Sequence, residues 1–213
     1  DGLHGPLLSE PLARLGRPVA RHVMAPGERS KVLGSVEQIW RCAAAAGLDR
    51  GSVVLGFGGG VVTDTAGFAA ATWMRGVRWA ALPTTLLAMV DASVGGKTGV
   101  DLPDAKNAVG AFWQPSAVVC DIATLRTEAR RGFASALAEV IKTGLIGDPA
   151  LLELVARELD GIMARDAAIL TEVVRRSVRV KARIVGLDER ESGLRAVLNL
   201  GHTVGHALET LGG

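Results

Sequence analysis

The chain is poor in cysteine, in long apolar runs and in charge of one sign. Cys42 and Cys120 are its only cysteines in 213 residues and stand far apart. They fit neither a disulfide framework nor a zinc motif and suit a reducing compartment. Lys and Arg number 24 against 22 Asp and Glu, a net charge of +2, so no global basic field points to nucleic acid. The longest apolar run, Ala80 to Val90, is broken by Pro83 and is far too short to span a bilayer. The first twenty residues hold Asp1, Glu10, Arg14 and Arg17 and no apolar stretch of signal type. No membrane partner is expected, and the cytoplasm is the expected compartment. Internal repeats and low-complexity segments are also missing. No methionine opens the chain, which reads as starting inside a larger protein. With 48% apolar and 22% charged residues, an ordinary globular protein of one large or two small domains is left.

Neither common phosphate-loop signature is complete. Gly56-Phe57-Gly58-Gly59-Gly60 follows an apolar run, but the dinucleotide pattern Gly-x-Gly-x-x-Gly needs glycine where Val61 stands. Gly95-Gly96-Lys97-Thr98 ends like a P-loop, but position 91 is Asp91. What is present is nonetheless phosphate chemistry. Pro83 to Lys97 packs a proline turn, Thr84-Thr85, Asp91, two glycines and a lysine into fifteen positions, and Lys106-Asn107 follows. Backbone stripped of side chains beside a cation is how proteins hold phosphates. A phosphorylated small molecule, a nucleotide, or both are the expected ligands.

The first half alternates strands and helices. Val19 to Met24, Ser52 to Leu55 (a buried strand running into the glycines), Val77 to Leu82 and Ala117 to Asp121 read as strands. Between them, Ser30 is placed to cap a helix whose apolar positions are Leu33, Val36, Ile39, Trp40 and Ala43, Gly47 to end it, and Asp64 to Trp73 to form the next. This alternation implies a parallel sheet with covered faces. Beyond about Thr127, Phe133 to Ile146, Asp148 to Leu159, Ala167 to Leu187 and Leu200 to Leu211 all read as helices. The expected organisation is an α/β domain over residues 1–126 and a helical domain over 127–213.

Three constellations carry chemistry. Glu139 and Lys142 share one face of a largely apolar helix, where a charged pair is costly unless it binds something. His202 and His206 stand at i, i+4 between glycines, a spacing that presents two imidazoles to a metal. Glu139 and His202 supply two ligands of a zinc site that needs three, and no third is apparent. Arg175, Arg179 and Arg183 form a stripe that reads as a solvated helix face, while Lys181 lies off it among apolar neighbours, placed to point inward.

Taken together, these residues resemble the 3-dehydroquinate synthase family of sugar-phosphate cyclases. The likeness runs through Pro26-Gly27-Glu28-Arg29-Ser30-Lys31, Gly58 to Asp64, Ala66 to Ala70, Arg75-Gly76-Val77, Pro83 to Lys97, Lys106-Asn107, Ala138 to Lys142, Asp188-Glu189-Arg190-Glu191 and Asn199 to His206. It implies a Rossmann-like NAD domain followed by a helical metal and substrate domain. It implies that Pro26, Gly27, Glu28, Lys31, Gly59, Gly60, Val61, Val62, Thr63, Asp64, Thr84, Thr85, Lys97, Lys106, Thr124, Leu125, Arg126 and Thr127 surround NAD. Asp91, Lys97, Lys106, Asn107, Lys142, Lys181, Arg195 and Asn199 are implied to surround a phosphorylated keto acid, with His206 beside it and Glu139 and His202 on Zn2+ or Co2+. The implied reaction cyclises 3-deoxy-D-arabino-heptulosonate 7-phosphate to 3-dehydroquinate with loss of phosphate, in a homodimeric lyase of the shikimate pathway.

This chain departs from the family in places. The family's usual Thr-Leu-Pro-x-Arg-Glu reads Thr127-Glu128-Ala129-Arg130-Arg131-Gly132 here, and Ala136 and Ala105 replace glycines. The family's first strands, third metal ligand and late lysine have no counterpart, as in a chain shortened at both ends. Three other readings stay open: another cyclase such as an amino-dehydroquinate synthase, a dehydrogenase releasing NADH, and an inactive NAD-binding module. A guanidinium at Arg195 suits a substrate carboxylate, which favours the dehydroquinate reading.

Overall fold

The computed structural model describes residues 5–201. A short helix α1 (Ser9–Ala13) leads through irregular chain and a Glu28–Ser30 3-10 turn to α2 (Leu33–Ala45). The α/β part continues with β1 (Val53–Gly58), α3 (Gly60–Thr72), β2 (Arg78–Pro83), a helical turn whose π-type stretch is Ala88–Ala92, β3 (Lys97–Leu102), β4 (Ala105–Phe112) and β5 (Ala117–Val118). Helices alone follow: α4 (Arg130–Gly147), α5 (Pro149–Arg157), α6 (Leu159–Met163) and α7 (Ala167–Leu187), with a closing 3-10 turn at Leu194–Asn199.

Strands β1, β2 and β5 pair in that order, all parallel, with Val53 opposite Arg78 and Gly58 opposite Pro83. Parallel neighbours need a crossover, and α3 supplies it. Its apolar residues run almost all round, as befits a helix buried on every side: Thr63 and Thr65 through Ala70 are all buried. One side lies on the sheet, another on the β3–β4 hairpin, and α2 covers a third. Gly67 is the close-approach point, since a Cβ there would stand 2.9 Å from the Trp79 ring.

In the helical part, Phe133, Val140, Leu151, Ile162, Leu170 and Val173 form one core with Leu86, Met89 and Val90. The turn that leaves β2 is therefore packed inside the helical part, which ties the two halves together. α7 has the bounds its periodicity predicts. Asp166 caps it by accepting from the Ala168 and Ile169 amides at 2.9 and 3.0 Å, and Asp148 caps α5 in the same way.

Several expectations are corrected. Residues 19–24 carry no regular secondary structure and make no ladder among the described residues, and Val19 and Val23 are exposed; an apolar segment becomes a strand only where a neighbour completes its hydrogen bonds. Ser30 does not cap α2. The Ser35 hydroxyl donates to the Ser30 carbonyl at 2.6 Å instead, and Val32 holds the cap position without a side-chain bond. Gly47 does end α2, with φ +68° and Leu48 N donating to Ala43 O at 3.0 Å. β1 is buried on one face only; Val53 and Leu55 are 44% and 40% exposed on the other. α3 starts at Gly60, earlier than periodicity suggested, because Gly59 N-caps it in extended conformation. The fourth strand shrinks to Ala117–Val118, and α4 starts three residues early, at Arg130. The expected helix Leu200 to Leu211 lies almost wholly outside the described residues. Both cysteines are free.

Candidate active site

β1 and β2 end side by side, joined by Thr84 N donating to Gly58 O at 2.9 Å. There the chain enters α3 through Gly59, whose carbonyl accepts from the Val62 and Thr63 amides at 3.0 Å. A Cβ on Gly59 would lie 3.1 Å from Thr85 Cγ2, and one on Gly60 3.5 Å from Ala92 Cβ. The glycines thus leave a side-chain-free shelf at the N-terminus of a thirteen-residue helix. Helix dipole and unpaired amides favour an anion at such a place, and strand C-termini are where open parallel sheets bind ligands.

Beside the shelf opens a cleft of about 550 Å³. Lys31, Asp64, Asp91, Lys97, Asn107, Lys142, Lys181, Arg195 and Asn199 all line it. They are contributed by the turn before α2, by α3, the Leu86–Ala92 turn, the hairpin, α4, α7 and the Leu194–Asn199 turn, so both halves build it. Lys31 Nζ pairs with Asp64 at 2.7 Å and donates to Asn107 Oδ1 at 2.5 Å. Asn107 takes the left-handed conformation, φ +55°, held by Asp101 Oδ1 accepting from its amide at 2.6 Å. Lys181 Nζ donates to Asp91 twice, to the carboxylate and to the carbonyl, both at 2.6 Å. Lys142 pairs with Glu139 one turn back, and Lys97 pairs with Glu191. Arg195 is 1% exposed; its guanidinium donates to Gly95 O at 2.8 Å and to Glu189 O, and lies 5.6 Å over the Phe112 ring.

Burial raises the Asp64 carboxyl to about 6, against the opposing pull of Lys31. Burial also lowers the Lys181 ammonium, with Asp91 resisting and Arg195 and Lys142 adding to the fall. For Glu191 burial pushes upward, but the Lys97 and Asn199 bonds outweigh it and hold the carboxyl below its ordinary range. Asp188 is held well below the usual range because it accepts from the Arg195, Ser192 and Gly193 amides. That capped loop fixes where Arg195 enters the cleft.

The remaining expected residues divide into three groups. Gly59, Gly60, Thr84 and Thr85 gather at the shelf, with Val61, Val62 and Thr63 on the first turn of α3. Thr124, Leu125, Arg126 and Thr127 form a 3-10 turn that does not line the cleft; the adjoining Glu128 reaches the shelf region, its Oε2 accepting from Leu86 N at 2.9 Å. Pro26, Gly27, Glu28 and Lys106 also stand outside the cleft lining. His202 and His206 lie outside the described residues. Among those described, no three His, Cys, Asp or Glu side chains form a metal-holding group.

Sequence reasoning missed the β3–β4 hairpin, which floors the cleft. Gly99 and Gly110 face each other across it, and a Cβ on Gly99 would stand 2.6 Å from Val109 O. The signal was the apolar alternation Thr98, Val100, Leu102 interrupted at Pro103-Asp104, a turn dipeptide. Phe112 beneath Arg195 and Glu191 on Lys97 were missed with it.

Two family models match the chain: 3-dehydroquinate synthase N-terminal over residues 21–135 and 3-dehydroquinate synthase C-terminal over residues 136–213. The 3-dehydroquinate synthase of Symbiobacterium thermophilum is 50% identical over 207 residues, which is 97% of this chain and 58% of that protein. A 2-epi-5-epi-valiolone synthase from Streptomyces hygroscopicus subsp. jinggangensis, solved with NAD+ and Zn2+ bound, aligns with TM-score 0.84 and 30% identity over 95% of this chain and 58% of its own. A 2-deoxy-scyllo-inosose synthase complexed with carbaglucose-6-phosphate, NAD+ and Co2+ aligns with TM-score 0.91 and 27% identity over 99% of this chain and 57% of its own. The chain thus spans a little under three-fifths of the length of the relatives it matches.

Proposed function

Because the chain belongs to the 3-dehydroquinate synthase family, we propose that it provides the NAD-binding part and most of the substrate cleft of a 3-dehydroquinate synthase. The substrate is 3-deoxy-D-arabino-heptulosonate 7-phosphate, and the products are 3-dehydroquinate and phosphate. The observation that carries this reading is the set of five cations, Lys31, Lys97, Lys142, Lys181 and Arg195, lining one cleft beside a glycine shelf.

NAD fits the shelf, where added Cβ atoms would fill the space between Gly59 and Thr85. The turn from Pro26 to Lys31, Asp64 and the 124–127 turn enclose it further. A carboxylate with two imidazoles is a donor set for zinc or cobalt, and Glu139, His202 and a third ligand beyond them would hold the ion. When bound, NAD supplies a reversible hydride acceptor and the metal a Lewis acid.

The chain's own residues bind and orient. Lys97, Lys142, Lys181, Asn107 and Asn199 hold the phosphate and hydroxyls, and Arg195 takes the carboxylate in a fork geometry lysine cannot offer. The family resemblance assigns His206, outside the described residues, to the substrate as well. Among the described residues, the two carboxylates that line the cleft, Asp64 and Asp91, are engaged by lysines. The departing phosphate's own oxygens therefore take the neighbouring proton, and orientation of the dianion carries much of the rate. The division at 126/127 sets the α/β part, with the cofactor shelf, apart from the helical part that carries Glu139, and the substrate cleft draws on both.

No described helix is long and apolar enough to cross a membrane. The protein works in the cytoplasm as a homodimer, which sedimentation equilibrium checks. For the activity, phosphate release is measured against NADH absorbance. Phosphate from the heptulosonate phosphate with NAD needed only catalytically is the expected result. Stoichiometric NADH would replace this reading with a dehydrogenase. Turnover of a carboxylate-free sugar phosphate in preference would shift it to another cyclase.

A further inference from the structure

Each lysine in the cleft is already occupied by an acid of the same chain, and one of these acids differs from the rest. Asp64, Asp91 and Glu139 sit on the elements that form the walls. Glu191 instead reaches in from the loop after α7, where it adopts a left-handed backbone, φ +58°. Its Oε2 pairs with Lys97 Nζ and its Oε1 accepts from Asn199 Nδ2 at 2.6 Å. Its side chain is only 19% exposed, against 51% for Lys97, and Lys97 and Asn199 line the cleft while Glu191 does not, so the carboxylate stands behind the two groups it joins. One carboxylate thus bridges a lysine of the hairpin and an amide of the helical part. These are two of the groups assigned above to an anionic ligand, and the inference rests on that assignment.

We propose that Glu191 is a resident counter-anion of the Lys97–Asn199 subsite and sets its selectivity. It engages both groups with one carboxylate. An entering anion must displace it, so the subsite rejects anions that offer only a single contact. It admits those, such as a phosphate dianion, that replace both bonds at once and add contacts deeper in. Specificity arises here as a difference between competing partners rather than from attraction alone.

The test is calorimetric titration with inorganic phosphate, comparing the native protein with Glu191→Gln. Glutamine keeps the shape and the acceptor for Asn199 but removes the charge held by Lys97. The variant should bind phosphate roughly tenfold more tightly, about 1.4 kcal/mol. Equal or weaker binding overturns the proposal, because a carboxylate that merely braces the loop would lower affinity when altered. The gain should vanish in a Lys97→Ala background. Glu189→Gln, on the same loop but bonded to Gln114 at 3.1 Å, should change affinity less than about twofold, as expected for a screened charge off the subsite. A gain there as large as that of Glu191→Gln would make the effect a general field and overturn the proposal. If Lys97→Ala alone leaves phosphate binding intact, the substrate assignment itself fails, and the counter-anion role with it. Should Glu191→Gln not fold, amide exchange in the native protein decides. Phosphate should speed exchange across residues 189–191 as the carboxylate is released, and unchanged or slowed exchange there sinks the idea.

Discussion

Asp64 and Lys31 share one buried ion pair, yet their removal has unlike consequences. Burial lifts the folded Asp64 carboxyl to about 6, above the ordinary 3.8. Folding therefore gains from its proton uptake. That contribution is full below pH about 4 and is lost as pH rises through about 6. A shift of this size is worth up to about 3 kcal/mol. Asp64→Asn should flatten the stability profile between pH 4 and 7, measured by urea unfolding; an unchanged profile would place the titration elsewhere. Lys31→Ala leaves Asp64 buried without its cation, a loss on the order of 3 kcal/mol, and adding Asp64→Asn should restore part of it. Lys97 is half exposed, so Lys97→Ala should shift the melting temperature little while removing most turnover. Comparing the two alanine variants at saturating NAD tests this, since equal falls in turnover would mean that Lys97 does not hold the reacting phosphate.

At the level of elements, the hairpin is where the structure says more than the sequence did. Gly99 and Gly110 let its backbones approach until no side chain fits between them. Gly99→Ala would press a Cβ onto the Val109 carbonyl at 2.6 Å, and backbone yields less than a side chain tip. The expected cost is about 1–3 kcal/mol, with phosphate binding lost in step because Gly99 and Asn107 line the same cleft. A variant of native stability and native binding would show that the floor is not built this way. The helices were legible because burial repeats at helical spacing: α7, with Leu170, Val173, Val174, Ser177, Val180 and Lys181 inward, has the bounds its pattern predicts. The glycine shelf and the lysines were legible because residue type alone carries their chemistry. What stayed hidden depends on partners distant in sequence. The 19–24 segment lacks a neighbouring strand among the described residues, and β3 can be recognised only beside β4. Glu191 gains meaning from Lys97, and Glu128 from the Leu86 amide. No local pattern announces any of these.

Across the whole molecule, an apolar link and several polar ones join the α/β part to the helices. Leu86, Met89 and Val90 are built into the helical core, Lys181 holds Asp91, and Arg195 holds Gly95. All four tryptophans, Trp40, Trp73, Trp79 and Trp113, lie in the α/β part, whereas most helix lies beyond residue 129. Tryptophan fluorescence and the far-ultraviolet helix signal therefore report different halves. In the native protein the two unfolding curves should coincide, as for one cooperative unit. Arg195→Leu cuts a buried link and should separate them, the helical signal melting first. Coincident curves at native stability would mean that the remaining links suffice.

The mutual pairing of charges in the cleft also governs how fast it can be found. Five cations line it, yet Asp64, Asp91, Glu139 and Glu191 sit against four of them, and the fifth, Arg195, gives two of its donors to carbonyl oxygens. Seen from a Debye length away, about 8–10 Å, such a site is nearly a neutral wall rather than a funnel. Encounter with a dianion should then proceed at an unsteered rate, roughly 10⁵–10⁶ M⁻¹s⁻¹, and hardly slow when salt is raised. The escape rate, set by contacts made only after the internal pairs have opened, should carry nearly all of the ligand discrimination. Stopped-flow association at 20 and 500 mM salt, roughly bracketing the range over which screening acts, would expose a steep slope if the cleft attracted its ligand from afar.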